Sequence, residues 1–143
     1  MTDSTSMTDS KSMTDSKSEI GELVGRWVAA IQARDLEAVV ADHTDDIVMF
    51  DVPPPYGGVR GIDEYRDSWL AFFEFIAGGA FFDIVDLDIT ASDTVAYAYA
   101  LLRCGTAIQL TAKPAVRLRL TLGLRKQDGR WQVAHEHHSF PLS

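Results

Sequence analysis

The chain has one cysteine, Cys104, no excess of positive charge, no long apolar run and no glycine-rich loop of the kind that cradles phosphates. A lone thiol rules out an intrachain disulfide and fits a reducing compartment, so a cytoplasmic location is expected. In a strand pattern, Cys104 reads as a small buried apolar residue. The formal net charge of −8 is spread along 143 residues, with no basic block, which argues against a nucleic-acid or anionic-membrane partner. The polar N-terminus shows no signal-peptide pattern, and no apolar stretch approaches the length of a membrane span. A nucleophile elbow and a Cys-x-x-Cys pair are also lacking, so covalent-serine and nucleotide-dependent chemistry have no support.

What is present begins with a hexapeptide repeat over residues 1–18, Met-Thr-Asp-Ser-Thr-Ser and then Met-Thr-Asp-Ser-Lys-Ser twice, identical but for Thr5. Such a segment has no apolar periodicity to offset its ordering entropy, so a disordered tail is expected there and one folded domain over 19–143. Ile20, Leu23, Val24, Trp27 and Ile31 fall at helical spacing, and Asp35 reads as the N-cap of a short second helix through Val39 and Val40. Asp46 to Val52 reads as a strand, stopped by Pro53-Pro54-Pro55 and Gly57-Gly58. A third helix follows Gly61 with a wide stripe of Ile62, Tyr65, Trp69, Phe72, Phe73 and Ile76, ending at Gly78-Gly79. Strands are expected at about 81–90, 94–104, 115–126 and 130–140. Helices segregated onto one face of such a sheet make an α+β fold.

The last hairpin is the most informative stretch. Asp128-Gly129 between alternating runs is a strong two-residue turn signal, because both turn residues must tolerate positive φ. Unbroken pairing from that turn sets Leu124 opposite Val133, Leu122 opposite His135 and Leu120 opposite His137. Strand alternation then places His135 and His137 on the apolar face, pointing into the domain, with Glu136 and His138 on the other side near Thr121 and Arg119. On the neighbouring strand, Ala96, Ala98 and Ala100 share one face and Tyr97, Tyr99 and Arg103 the other; pattern alone does not say which faces inward.

The order helix, helix, strand, loop, helix and four antiparallel strands resembles the nuclear transport factor 2-like superfamily, which includes ketosteroid isomerases and SnoaL-like polyketide cyclases. The ungapped stretch from Trp27 to Asp51, the Gly61-Ile62 helix start and the Asp-Gly-Arg-Trp hairpin carry the resemblance. The His-x-His-His-Ser ending is similar to that of small SnoaL-like proteins and of the association domain of calmodulin-dependent kinase. The resemblance implies a cone-shaped α+β (cystatin-like) fold of three helices on a curved, mostly antiparallel sheet. It also implies a pocket between helices and sheet, a small apolar organic ligand and a homodimer through the convex sheet face. One such scaffold hosts enzymes and non-catalytic modules alike.

Asp51 falls where ketosteroid isomerase keeps its general base, and a carboxylate beside an apolar loop suits that role. The competing reading has Asp51 bonding the backbone of the turn before the prolines. Trp27 stands at the position of an oxyanion-holding tyrosine, and Leu120 or Thr121 at that of the protonated aspartate, so classical steroid isomerisation is not expected. His135 and His137 are the candidate acids, oxyanion donors or bases, or else structural histidines. With Asp51 they also have the composition of a facial metal triad, a reading set aside in favour of no metal and no cofactor. Trp27, Tyr56, Tyr65 and Trp69 are the candidate ligand contacts, Phe72, Phe73 and Ile76 are core, and Asp42-His43 is a solvated helix end. The expected function is therefore a small-molecule pocket, with cofactor-free isomerase, cyclase or dehydratase chemistry if it is an enzyme. The alternative is a non-catalytic ligand-binding or oligomerisation module.

Overall fold

Four runs of alternating apolar and polar residues build most of a six-stranded sheet, and two helices lay apolar stripes across one of its faces. The computed structural model describes residues 2–142, with side chains from residue 14 onward. In chain order the elements are α1 (Thr2–Ala33), α2 (Leu36–Val40), β1 (His43–Phe50), β2 (Val59–Arg60), α3 (Ile62–Ala77), β3 (Phe81–Ala91), β4 (Val95–Gly105), α4 (Ala107–Ala112), β5 (Leu118–Gln127) and β6 (Arg130–Ser139). The strand order is β2-β1-β6-β5-β4-β3, antiparallel throughout except for the parallel pair β1–β6. The result is a curved, unclosed sheet with helices against its inner face. No helix among the described residues is long and apolar enough to cross a membrane.

The inner face is a continuous core. Leu118, Leu120, Leu122 and Leu124 of β5 and Ala96, Ala98, Ala100 and Leu102 of β4 are all buried there. Small alanines beside large leucines let α1 approach the sheet, where Ile20, Leu23, Val24, Trp27 and Ile31 close the layer. Each fully buried leucine contributes roughly 1.5–3 kcal/mol, an upper estimate given residual burial in the unfolded chain. Tyr97, Tyr99 and Leu101 therefore face outward, where they are exposed.

Several element ends are set by local chemistry. The Asp35 side chain accepts from the Ala38 amide and caps α2. Asp128 and Gly129 hold φ of 53° and 77° and close the β5–β6 hairpin as a two-residue turn. Thr106 and Gln109 form a reciprocal capping box that starts α4, a fourth helix too short to show periodicity in the sequence.

Two boundaries differ from expectation. The repeat over residues 1–18, expected to be an unstructured tail, enters α1 as helical backbone from Thr2, and Ser16 is buried. Once the packed turns from Ile20 have nucleated a helix, propagation into a polar segment costs little. β1 starts at His43 rather than Asp46: Asp42, at φ 61°, turns the chain straight from α2 into the strand.

Candidate functional site

The inner end of β6 does not follow unbroken alternation. Leu124 pairs with Val133 as the turn requires, but Gly123 pairs with His135, Leu122 with Glu136 and Leu120 with His138. Ala134 is left without a partner on β5, a one-residue β-bulge. Because side chains alternate with period two, a single extra residue moves every later side chain to the other face. Glu136 and His138 thereby point into the domain, 0% and 6% exposed, while His137 is exposed on the outer face. His135, half-buried, lies beside the β1 backbone with Nδ1 2.6 Å from the Val48 carbonyl, and Phe50 packs edge-on against both outer histidines. The expectation that His135 and His137 line the interior is thus reversed, and so is the assignment of Glu136 and His138 to the outer face.

Around Glu136 the structure assembles a buried polar cluster. His138 Nε2 lies 3.0 Å from Glu136 Oε1, and His43 Nε2 lies 3.1 Å from Oε2. His43 Nδ1 donates to the Ala41 carbonyl at 2.8 Å, which fixes the ring, and its Nε2 also lies 2.9 Å from Tyr65 Oη. Trp27 Nε1 donates to that same hydroxyl at 3.1 Å. His43, expected as part of a solvated helix end, is instead a 6% exposed member of this cluster. It was missed because the left-handed turn at Asp42 that aims it inward has no side-chain signature. Asp42 itself is exposed enough to pair with Arg130 at 2.7 Å and Arg26 at 3.5 Å.

The electrostatics follow from that packing. Burial alone would raise the Glu136 carboxyl, but hydrogen bonds from His138 and His43, reinforced by their charges, outweigh it and lower its pKa to about 2. For His138, burial opposes the cation, yet the bond to Glu136 and the charges of Glu136 and Asp51 raise its pKa above the ordinary histidine value. Burial, with the charge and hydrogen bond of Glu136, pushes the Tyr65 phenol well up, so it remains protonated at neutral pH.

His138 also forms part of a cavity wall. A space of about 290 Å³ opens between α3, the loop after β1 and the ends of β4, β5 and β6. It is lined by Val52, Pro53, Trp69, Ala71, Phe72, Phe75, Phe82, Leu118 and Phe140, with polar groups from Asp51, Ser68, Cys104 and His138. Asp51 Oδ1 accepts from the Val52 amide at 2.7 Å and lies 3.5 Å from His138 Nδ1. The second distance is an ion-pair contact longer than a normal hydrogen bond. Ser68 Oγ donates to the Tyr65 carbonyl at 2.6 Å. Burial, and then the charge of Asp51, raises the Cys104 thiol to about 11, so it is a neutral wall group rather than a nucleophile near neutral pH.

The structure therefore brings Asp51 and Trp69 to the cavity and seats Trp27 and Tyr65 behind it, bonded to each other. Trp69 Nε1 is buried without a hydrogen bond of normal geometry. Tyr56, expected as a ligand contact, is fully exposed in the proline-rich loop. Phe72 and Phe73, expected as core, are half-buried, and Phe72 lines the cavity. The combination Asp51, His135 and His137 is not assembled, since the bulge puts the two rings on the outer side. Among the described residues no three His, Cys, Asp or Glu side chains gather in a metal-holding arrangement.

Comparison with known proteins accords with this architecture. The chain's sequence from 20 to 143 matches the profile of the SnoaL-like domain. The fold is similar to the crystal structure of an NTF2-like protein of unknown function from Pseudomonas putida KT2440, with TM-score 0.81 and 34% identity over 92% of this chain and 91% of that one. It is similar also to a ketosteroid isomerase-like protein from Erwinia carotovora atroseptica SCRI1043, with TM-score 0.62 and 23% identity over 88% and 96% of the two chains. A Nostoc punctiforme PCC 73102 protein with a cystatin-like fold gives TM-score 0.67 and 20% identity over 89% and 92%. No curated protein matches the sequence. The matched domain spans everything from the packed part of α1 to the C-terminus, and the chain belongs to the SnoaL-like family, on a cystatin-like NTF2 fold.

Proposed function

We propose that this protein is a cofactor-free acid–base enzyme acting on a small, largely apolar organic molecule, with Asp51 as base and His138 as proton donor. One observation carries the reading: a carboxylate and an imidazole stand 3.5 Å apart in the wall of a largely apolar cavity of about 290 Å³. A ligand carbonyl oxygen would accept from His138 Nδ1–H, while Asp51 takes a proton from the carbon beside that carbonyl. The charge that develops on the oxygen is met by a donor already in place. Return of the proton to another carbon completes an isomerisation. Attack of the carbanion on a second carbonyl gives a cyclisation, and departure of a β-hydroxyl as water gives a dehydration.

The residues argue for this class rather than for steroid isomerisation itself. Trp27 stands at the position of the oxyanion-holding tyrosine, but its N–H is engaged by Tyr65. Leu120 offers no donor, and Thr121 faces outward. Trp69 is the indole in contact with the ligand space, while Trp27 and Tyr65 hold the wall from behind. The reading includes a homodimer through the outer sheet face, where Val95, Tyr97 and Tyr99 are each more than half exposed. It also includes a cytoplasmic location, supported by the single unpaired thiol.

The test is conversion of β,γ-unsaturated cyclic ketones to their conjugated isomers, followed with deuterium incorporation in heavy water. Turnover that falls about 10²–10⁴-fold in Asp51→Asn supports the assignment. Turnover that is unchanged in Asp51→Asn removes Asp51 as the base. If no ketone reacts, yet the wild type binds them and loses them on Trp69→Ala, the protein is a non-catalytic binding module.

A further inference from the structure

Glu136 and His43 do not line the cavity beside His138, yet they use buried space for charge that a leucine would fill at less cost. Glu136 has two carboxylate oxygens, and each is taken by one histidine. His138 takes Oε1 at 3.0 Å and His43 takes Oε2 at 3.1 Å, with Tyr65 and behind it Trp27 on the His43 side. This leaves His138 with one nitrogen anchored inside the protein and the other, Nδ1, turned toward Asp51 and the cavity.

We propose that Glu136, braced by His43, is a positioning residue that holds His138 as a ready proton donor to the cavity through the buried series Asp51–His138–Glu136–His43. The inference rests on the reading of Asp51 and His138 as the acid–base pair, and it narrows the ligand. The occupant presents a carbonyl, enolate or carboxylate oxygen to His138 Nδ1, because a wall cation with its other nitrogen committed has only an N–H to offer. The 3.5 Å separation from Asp51 leaves that N–H able to turn to such an oxygen without first breaking a tight bond.

Among the described residues, Glu136 is the hydrogen-bond partner of His138 Nε2, and the other groups around the ring are of different kinds. From the loop after β1, Asp51 contributes a second, more exposed anion. β4 contributes the neutral Cys104 thiol and β5 the apolar Leu118. From α1 and α3 come the rings of Trp27 and Trp69, at centroid distances of 6.5 and 6.2 Å. Tyr65 meets His43 Nε2 at 2.9 Å and stands behind Glu136 through it.

The experiment is a histidine-ring NMR titration of the full chain, feasible because there are only four histidines to assign by single substitution. In the wild type, the His138 ring should hold its proton to higher pH than an ordinary histidine, about 6.5. In Glu136→Gln the His138 midpoint should fall by about one pH unit or more, a tenfold loss of proton affinity. Asp51→Asn should lower it less. A wild-type His138 midpoint at or below about 6.5 overturns the proposal without any variant, and a midpoint unmoved by Glu136→Gln overturns it with one. Ketone isomerisation separates the two claims. Turnover that persists while the titration fails removes the role of Glu136 and leaves the acid–base pair. A titration as expected, with no ketone converted or bound, leaves the charge relay and removes the enzyme.

Discussion

The two faces of β6 carry similar side chains and meet different fates. On the outer face, His135 and His137 lie beside β1 and Phe50, near water, with one ring bonded to a backbone carbonyl. On the inner face, Glu136 and His138 sit one residue away in sequence, buried and bonded to each other. Residue type does not separate them; the unpaired Ala134 does. The first way to break this comparison is to remove one member from each face. Glu136→Ala leaves His43 and His138 without their buried anion and should cost roughly 3–5 kcal/mol in urea unfolding. His137→Ala, at an exposed position, should leave the midpoint within scatter. Equal losses would mean that the two faces are energetically alike and that the buried cluster is incidental.

Acidity sharpens the same contrast, because only the inner face is tied to proton binding. Glu136 has its pKa lowered from 4.5 to about 2, so its contribution is present above about pH 4.5 and is lost as pH falls through 2. By linkage that arm is worth on the order of 3 kcal/mol. His138 is raised from 6.5, so its contribution is complete below 6.5 and is lost as pH rises through its higher folded value. Urea midpoints across pH should therefore form a plateau between the two arms. Both arms should flatten in Glu136→Gln and survive in His137→Ala. A flat profile in the wild type would show that the cluster titrates no differently in the folded and unfolded chain.

The reason one face was legible and the other was not lies in the backbone. Asp128-Gly129 announces its turn through residue type, and the pairs beyond it as far as Leu124 with Val133 follow by arithmetic. The stripe of α1 and the Asp35 cap likewise declare themselves through side chains that must be buried or must bond, and the start of α3 through a glycine at φ 88°. A bulge declares nothing. Ala134 fits a strand, and the only mark is Gly123 opposite the irregularity, where an added Cβ would come within 3.4 Å of the His135 Cβ. From that residue on the facing of each side chain is inverted, so residue pattern places Asp51 and Trp69 at the cavity while it draws its histidines from the opposite face of β6. His43 was lost in the same way, through a left-handed residue between helix and strand. Tyr56 was misplaced because an aromatic ring does not show whether its loop folds over the cavity or away from it.

The smallest expected effect concerns the neutral end of the inner cluster. Trp27 occupies a position where the family resemblance suggests a donor to ligand, yet its N–H turns away from the cavity to Tyr65 Oη at 3.1 Å. Tyr65 in turn meets His43 at 2.9 Å, so the indole supports the anion only at third hand. Trp27→Phe should therefore cost about 1 kcal/mol for the lost hydrogen bond, with some addition from the smaller ring beside Trp69 and Phe82. Both pH arms should stay in place, because no charged partner of Glu136 has been removed. If the arms shift as far as they do in Glu136→Gln, the tryptophan acts on the charge directly. The division between a charged centre and neutral supports would then have to be redrawn around the Tyr65 hydroxyl.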